Sequence, residues 1–286
     1  MILGAVEGGG TTFELAVAEA PIGDAPPRWR ARRTLPTTTP AQTLEAAASF
    51  LGEQGVEAVG FASFGPLDLG TGRLLRTPKP GWAGLDLRAP FAALGPVALE
   101  TDVNAAALAE ARWGDALGAP VGDPLAYVTV GTGVGGGLVV HGAPLHGRLH
   151  PEMGHLGSSA PDDFPGVCPF HGACVEGLAS APAIRARTGA DPAALPDDHP
   201  VWQRVAAHLG ELAGALALVA SPEVIVFGGG VMKRAGLLDG IRARLEARQG
   251  AYLPRLPLLR RPALGEPGLA GALVLAAEAA RAHLAR

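Results

Sequence analysis

Four side chains near the middle of the chain have the types and spacing to hold a metal ion: His155, Cys168, His171 and Cys174. The chain has only two cysteines and eight histidines, and both cysteines fall here beside two of the histidines. Two thiols and two imidazoles complete a tetrahedral set for zinc. Cys168, His171 and Cys174 sit at even three-residue steps, and Gly172 lets the backbone fold around an ion. Four protein donors predict a closed structural site without a chemical role. The bland alternatives are a plain loop histidine at 155 and a Cys168–Cys174 disulfide. A short loop in a reducing compartment favours the metal. Glu152 precedes this run and Glu176 ends it, so the spacing predicts a metal-braced loop that shapes a binding site.

Asp102 is the second chemical candidate, in Glu100-Thr-Asp102-Val-Asn104, where a buried strand should end and a helix begin. It reads either as the helix N-cap, with Asn104 competing for that place, or as a general base. A carboxylate at a strand end can orient a hydroxyl nucleophile and accept its proton during phosphoryl transfer.

Three glycine clusters follow strands: Gly8–Gly10, Gly131–Gly137 and Gly228–Gly230. Glycine lets backbone amides approach phosphate oxygens, and Thr11, Thr12 and Thr132 add hydroxyl donors. Two common nucleotide motifs are excluded. Gly131-Thr-Gly133-Val-Gly-Gly136 matches the dinucleotide pattern by letter, but the following Leu138-Val-Val reads as a strand where that motif needs a helix. No Gly-Lys-Ser/Thr run exists, because Lys79 follows Pro78 and Lys233 follows Met232.

The elements that must position these groups form two similar units. Ile2–Val6 and Phe13–Ala18 read as strands around the turn Glu7–Thr12. Trp29–Leu35, Val56–Ala62 and Val97–Thr101 read as further strands. A helix runs from Pro40 to about Gly52 and another over Asn104–Trp113. The pattern restarts with strands Leu125–Val130 and Leu138–Val140 around Gly131–Gly137. Then come the metal loop, a helix from Val201 to Ala220, a strand at Val224–Phe227 and helices at Gly236–Gln249 and Gly268–Arg286. This predicts two α/β domains with a cleft between them. His141, His146 and His150 read as exposed loop residues, Trp82 as packing for its loop, and Arg242, Arg244 and Arg248 as a solvated helix face.

Composition narrows the function classes. At 286 residues with net charge −4 the chain can build real cores and shows no basic stripe, so nucleic acid is not an expected partner. No apolar run reaches membrane-spanning length and no signal peptide is visible, so a cytoplasmic location without membrane association is expected. Of 23 basic residues only Lys79 and Lys233 are lysines.

Taken in order, a set of motifs resembles the ROK family of sugar kinases, and within it the bacterial fructokinase branch. Its carriers are Glu7-Gly-Gly-Gly-Thr, Phe64-Gly-Pro-Leu-Asp68, Thr77-Pro-Lys-Pro-Gly-Trp82 and Thr101-Asp-Val-Asn-Ala-Ala-Ala107. They continue through Thr129–Gly137, His150-Pro-Glu-Met-Gly-His155, Cys168–Cys174, Glu176-Gly-Leu-Ala-Ser180 and Phe227–Met232, covering nearly the whole chain. The resemblance implies the actin-like ATPase (hexokinase, RNase H-like) α/β fold. Residues 1–117 plus about 266–286 would form a small N-terminal domain, and 118–265 a large C-terminal one carrying the zinc loop. It implies transfer of the ATP γ-phosphate to the fructose 6-hydroxyl, with Asp102 as base.

The resemblance further implies sugar contacts from Gly65, Glu152, His155 and Glu176. It implies ATP contacts from Gly9, Gly10, Thr11, Thr12, Thr132, Gly133, Pro182, Gly228, Gly229, Gly230, Val231 and Met232. Structural Zn²⁺ would sit on His155, Cys168, His171 and Cys174. Mg²⁺ would accompany ATP, with Glu7 as an outer-shell carboxylate, and the protein would be a homodimer. Three departures matter. Thr12 stands where many relatives have lysine, Thr101 where glucokinase-like members have asparagine, and His171 where many zinc loops have a third cysteine. The last two resemble the fructokinase branch. A glucokinase or other hexose kinase on the same scaffold is the alternative, with a non-catalytic sugar-binding protein behind it. The repressors of the family carry an N-terminal DNA-binding domain, for which the strand starting at Ile2 is expected to leave no room.

Overall fold

The computed structural model describes residues 1–77 and 79–285. The first stretch runs β1 (Ile2–Gly8), β2 (Thr12–Glu19), β3 (Ala31–Pro36), α1 (Pro40–Glu53), β4 (Ala58–Ser63), β5 (Leu67–Asp68), β6 (Arg73–Leu74), β7 (Val97–Thr101) and α2 (Asp102–Trp113). It continues with β8 (Leu125–Val130), β9 (Val134–Val140), β10 (Ala143–Pro144), α3 (Val175–Ala179), α4 (Ala181–Thr188) and α5 (Val201–Val219). Last come β11 (Val224–Gly228), α6 (Leu237–Gln249), β12 (Leu258–Arg260) and α7 (Pro267–Leu284). The chain forms two compact units. One holds Met1–Ala119, Pro144–His150 and Ala263–Arg286, and the other Pro120–Ala143 and Pro151–Pro262.

The two large sheets share one plan, β3-β2-β1-β4-β7 and β10-β9-β8-β11-β12. Each is opened by an antiparallel hairpin, β1–β2 or β8–β9. Parallel strands follow: β4 beside β1 and β7 beside β4 in one, β11 beside β8 and β12 beside β11 in the other. The duplication expected from the glycine hairpins is therefore present in topology, without a matching sequence repeat.

In the first unit Phe13, Phe61, Phe91 and Trp82 fill the core on one side of the sheet, so Trp82 does pack its loop. On the other side α7 crosses β4 closely. A Cβ at Gly60 would fall 1.8 Å from the Ala272 carbonyl oxygen, which explains a glycine inside a fully buried strand. Alanine-rich α2 and α7 pack beside each other around Ala109, Trp113, Ala270 and Val274. The second unit buries Val128, Phe227, Leu209, Trp202 and Ile241 between its sheet, α5 and α6.

Several expectations need correction. The run Val134-Gly-Gly-Gly137 is strand, paired with β8 in the register Val130↔Val134 to Tyr127↔Gly137, so the turn is only Gly131–Gly133. Backbone pairing with a buried neighbour outweighs the low strand propensity of glycine. Gly136 serves packing, since a Cβ there would meet the Met153 side chain at 2.8 Å. His150 is buried and its Nε2 accepts the Leu67 N–H at 2.9 Å, so it is no exposed loop residue. His146 and His141 are exposed as expected, and His146 also bonds to Glu100 at 2.6 Å. Arg244 and Arg248 both reach Glu211 of α5, at 2.6 and 3.2 Å, and Arg242 donates to Leu259 O of β12 at 3.1 Å, so these arginines pin α6 and do not simply face solvent. α7 ends at Leu284, and both the expected end at Arg286 and Pro78 of the Thr77–Trp82 motif lie outside the described residues. Among the described residues no helix is long and apolar enough to cross a membrane.

Candidate active site and metal centre

In the first unit the carboxylate-bearing turn follows β7. Thr101 is the N-cap of α2, its hydroxyl accepting the Asn104 N–H at 3.2 Å. Neither Asp102 nor Asn104 caps the helix, which corrects both capping alternatives. Asp102 is the first helical residue, and its Oδ1 accepts the Val103 N–H at 2.9 Å. That position puts its carboxyl beside the unpaired backbone N–H groups of the first turn. Beneath it, buried Glu100 accepts from the Thr101 N–H at 2.7 Å and the Asn104 amide at 3.0 Å, and meets His146 Nε2 at 2.6 Å. These bonds fix the backbone that carries Asp102.

The first glycine turn is equally fixed. Gly9 N–H donates to Thr12 O at 2.8 Å, and Thr37 donates its N–H to Thr11 O and its hydroxyl to Gly9 O, both at 2.9 Å. Gly10, Thr11 and Thr12 are exposed at its tip. Glu7, just before the turn, has its carboxyl pushed up to about 7, first by burial and then by repulsion from Asp102, Glu14 and Glu266, against the Leu269 N–H that lowers it. Glu7 and Asp102 therefore feel each other's charge. Gly65 follows β4, whose end is tied to the turn by Phe64 N–H donating to Gly8 O at 3.1 Å.

The second unit brings the second glycine turn to helix starts. Ala181 N–H donates to Gly131 O at 2.8 Å, placing Pro182 of α4 near the turn. Glu176 of α3 accepts the Val134 N–H at 3.1 Å through Oε2, and a Cβ at Gly133 would lie 2.6 Å from that oxygen. A cavity of about 680 Å³ is lined by Gly131, Thr132, Ala181, Gly230, Val231 and Lys233 among others. Thr132, Gly230 and Val231 of the expected nucleotide contacts thus line one cavity. Gly229 is exposed beside it, whereas Gly228 and Met232 are buried. Local sequence gave no sign of the cavity's other wall. There Arg234 lies over Trp202 at 4.7 Å and pairs with Asp197, while Arg185 pairs with Asp191. α4, the α4–α5 connection, the start of α5 and the segment before α6 supply them.

His155, Cys168, His171 and Cys174 do converge. Their donor atoms all lie within 4.8 Å of one another. His155 Nδ1 is 3.7 Å from Cys168 Sγ and 3.6 Å from Cys174 Sγ, and His171 Nδ1 is 3.8 Å from Cys168 Sγ. Metal bonds of about 2.0–2.1 Å to nitrogen and about 2.3 Å to sulfur set tetrahedral donors about 3.3–3.8 Å apart, and the three pairs just named match that spacing. Gly172 has φ of +55°, the turn that aims both arms of the loop at one point. Burial, opposed by the Gly177 N–H and assisted by Cys168, pushes the Cys174 thiol up to about 11. An ion would displace that proton. His155 turns Nε2 toward Glu152 at 4.0 Å, and both cysteines are free thiols.

Known proteins resemble the chain over this whole architecture. A model described as "ROK family" matches residues 3–279. A fructokinase of Zymomonas mobilis is 41% identical over 96% of both chains. The solved structure of a ROK hexokinase from Thermus thermophilus superposes with a TM-score of 0.81 at 29% identity, covering 99% of this chain and 100% of that one. A ROK family glucokinase from Streptomyces griseus, solved with glucose and AMPPNP, superposes with a TM-score of 0.78 at 25% identity over 97% of this chain and 100% of that one. The fold is thus that of the actin-like ATPases, with mixed sheets and helices as expected.

Proposed function

The chain belongs to the ROK family, and from that premise we propose that it is an ATP-dependent fructokinase in which Asp102 takes the proton of the fructose 6-hydroxyl. The observation that carries the mechanism is the position of Asp102 as first residue of α2, with the capping done by Thr101. Phosphoryl transfer asks the protein mainly for positioning and charge stabilisation. Asp102 orients the hydroxyl and accepts its proton as oxygen attacks the γ-phosphorus, and the β,γ-bridging oxygen leaves with ADP. Turn amides at Gly9 and Gly10 and the hydroxyls of Thr11 and Thr12 offer donors to phosphate oxygens. Thr132, Gly133, Pro182 and the Gly228–Met232 segment serve the rest of the nucleotide, supported by the cavity that several of them line.

Fructose as acceptor is supported by the Zymomonas mobilis fructokinase at 41% identity, against 25% for the glucokinase solved with glucose. Thr101 and His171 point the same way. Sugar hydroxyls are assigned to Gly65, Glu152, His155 Nε2 and Glu176. Zn²⁺ is the ion the Cys₂His₂ set suits, held by His155 Nδ1, Cys168, His171 and Cys174, where it would brace the loop bearing Glu152 and the helix bearing Glu176. Mg²⁺ bound with ATP supplies phosphate charge neutralisation, and the carboxylate cluster around Glu7 suits an outer-shell role. Free thiols at 168 and 174 suit a reducing cytosol.

The test is ADP release from Mg-ATP by purified protein with fructose, glucose and mannose offered separately. Turnover favouring fructose supports the assignment. Preference for glucose keeps the mechanism and overturns the acceptor, and no turnover with any sugar in zinc-loaded protein refutes the kinase reading.

A further inference from the structure

We propose that the Lys79 ammonium donates to the transferring γ-phosphoryl group at the first glycine turn, as a catalytic residue additional to Asp102; the proposal rests on the kinase reading above. Its location is the first argument. Lys79 Cε lies 3.9 Å from where a Cβ on Gly10 would stand, so the charged end of the side chain is beside the exposed tip of that turn. Nζ stands 5.1 Å from the Phe64 ring centre and 5.5 Å from that of Trp82, in range for cation–π attraction. Phe64 and Trp82 meet edge to face at 5.8 Å, and Trp82 is almost fully buried. The Trp82 indole N–H donates to Thr38 O at 3.4 Å, one residue after the Thr37 that clamps Gly9 and Thr11. Hydrogen bonds thus link the turn, its clamp and the Trp82 wall, and the ammonium rests against the two aromatic rings beside the turn.

Charge is the second argument. Among the described residues no carboxylate pairs with Lys79, on which burial acts without a charge partner, although Glu14 and Asp102 act on Glu7 at the base of the turn. Burial lowers the pKa of the lysine from its ordinary value. A polyanion docking at the turn would complete this partly desolvated cation. The third argument is chemical choice. Arginine supplies all but two of the 23 basic residues, and the two lysines are Lys79 and Lys233, which lines the second unit's cavity. A compact ammonium can follow a phosphoryl group as its oxygens flatten in transfer, where a planar guanidinium fork fits less closely. During transfer the sugar oxygen–phosphorus bond forms, the bond to the β,γ-bridging oxygen breaks with its electron pair going to ADP, and the hydroxyl proton passes to Asp102. Lys79 keeps its own protons and shares one with a γ-oxygen. It thereby supplies cationic charge at a turn where Thr12 carries none.

Lys79→Met, Lys79→Gln and Lys79→Arg test this by titration calorimetry with the β,γ-imido analogue of ATP and with ADP, and by turnover on the best sugar of the unmodified protein. Loss of the ammonium should weaken analogue binding by about tenfold and ADP binding by less than about threefold. It should lower kcat by about a hundredfold with sugar KM within about threefold, and Lys79→Arg should recover part of both losses. Equal loss of ADP and analogue binding overturns the proposal, as does kcat near that of the unmodified protein. A raised sugar KM at unchanged kcat assigns the lysine to the sugar and overturns it too. If the methionine variant does not fold, the glutamine variant decides. An unmodified protein that prefers glucose would sink the fructose assignment while leaving this comparison intact.

Discussion

Removing the Asp162 carboxylate should destabilise the second unit more than any single exposed charge could. The Asp162 side chain is 3% exposed and lies between the expected ligands His155 and Cys168. It receives Arg187 at 2.5 and 3.1 Å, His208 Nε2 at 2.7 Å and the Phe164 N–H at 3.0 Å, with Arg204 at 3.6 Å. Burial alone would raise its pKa, but these bonds overcome that and hold the carboxyl below the usual range. Arg187 is 10% exposed, and its guanidinium stacks on Phe164 at 4.0 Å. His208 is buried, which lowers its pKa against the pull of Asp162. As a neutral ring it donates through Nε2 and accepts the Ser158 hydroxyl at Nδ1, 2.8 Å away.

Asp162→Ala leaves Arg187 buried without its counter-charge, a change that costs about 3–5 kcal/mol. At about 2–4 °C per kcal/mol for domains of this size, Tm should fall by about 6–20 °C. Asp162→Ala with Arg187→Met should recover part of that loss, because removing both charges relieves the stranded cation. The carboxyl's folded pKa lies below its unfolded value near about 3.9. Its contribution is therefore complete above that value and fades as pH falls toward the depressed one. Scanning calorimetry of zinc-loaded protein should show a constant gap between variants from neutral pH down to mild acid, closing only in stronger acid. A single variant melting within about 2 °C of the unmodified protein, or strict additivity in the double variant, would refute the reasoning.

Two further outcomes are expected. Asp102→Asn should keep fructose binding, measured by equilibrium titration, while turnover falls by about two to four decades; near-normal turnover removes Asp102 from the base role. Metal analysis should return one zinc per chain, and Cys174→Ser should lose that zinc together with fructose affinity while the first unit keeps its secondary structure; zinc far below one per chain defeats the structural ion.

What could be read from the sequence was whatever lies close along the chain or repeats in type. The Cys168-x-x-His171-x-x-Cys174 spacing announced a metal loop, and Asp102 stood out because a strand-to-helix junction was visible on either side of it. The glycine hairpins announced two like units. Contacts spanning long separations gave no such signal. Asp162 meets Arg187 and His208 at separations of 25 and 46 residues, and Glu100 meets His146 at 46. The role of His150 as acceptor for Leu67 arises 83 residues away. Glycines were legible in part. Those at 135–137 read as turn but form strand because β8 pairs with them, whereas Gly60 reads as the inside of a strand, and only the structure shows that a helix presses on the sheet there.

That pressed helix has a consequence for biosynthesis. α7 covers β4 at Gly60, yet it is translated after every residue of the second unit. A nascent chain can complete β1, β4 and β7 early but must wait for α7 before that face of the sheet is covered. The second unit, contiguous apart from Pro144–His150, has its strands and helices in hand sooner. On the ribosome the unit holding β1 is therefore completed after the other, and its bare sheet face is what a chaperone would meet in the interval.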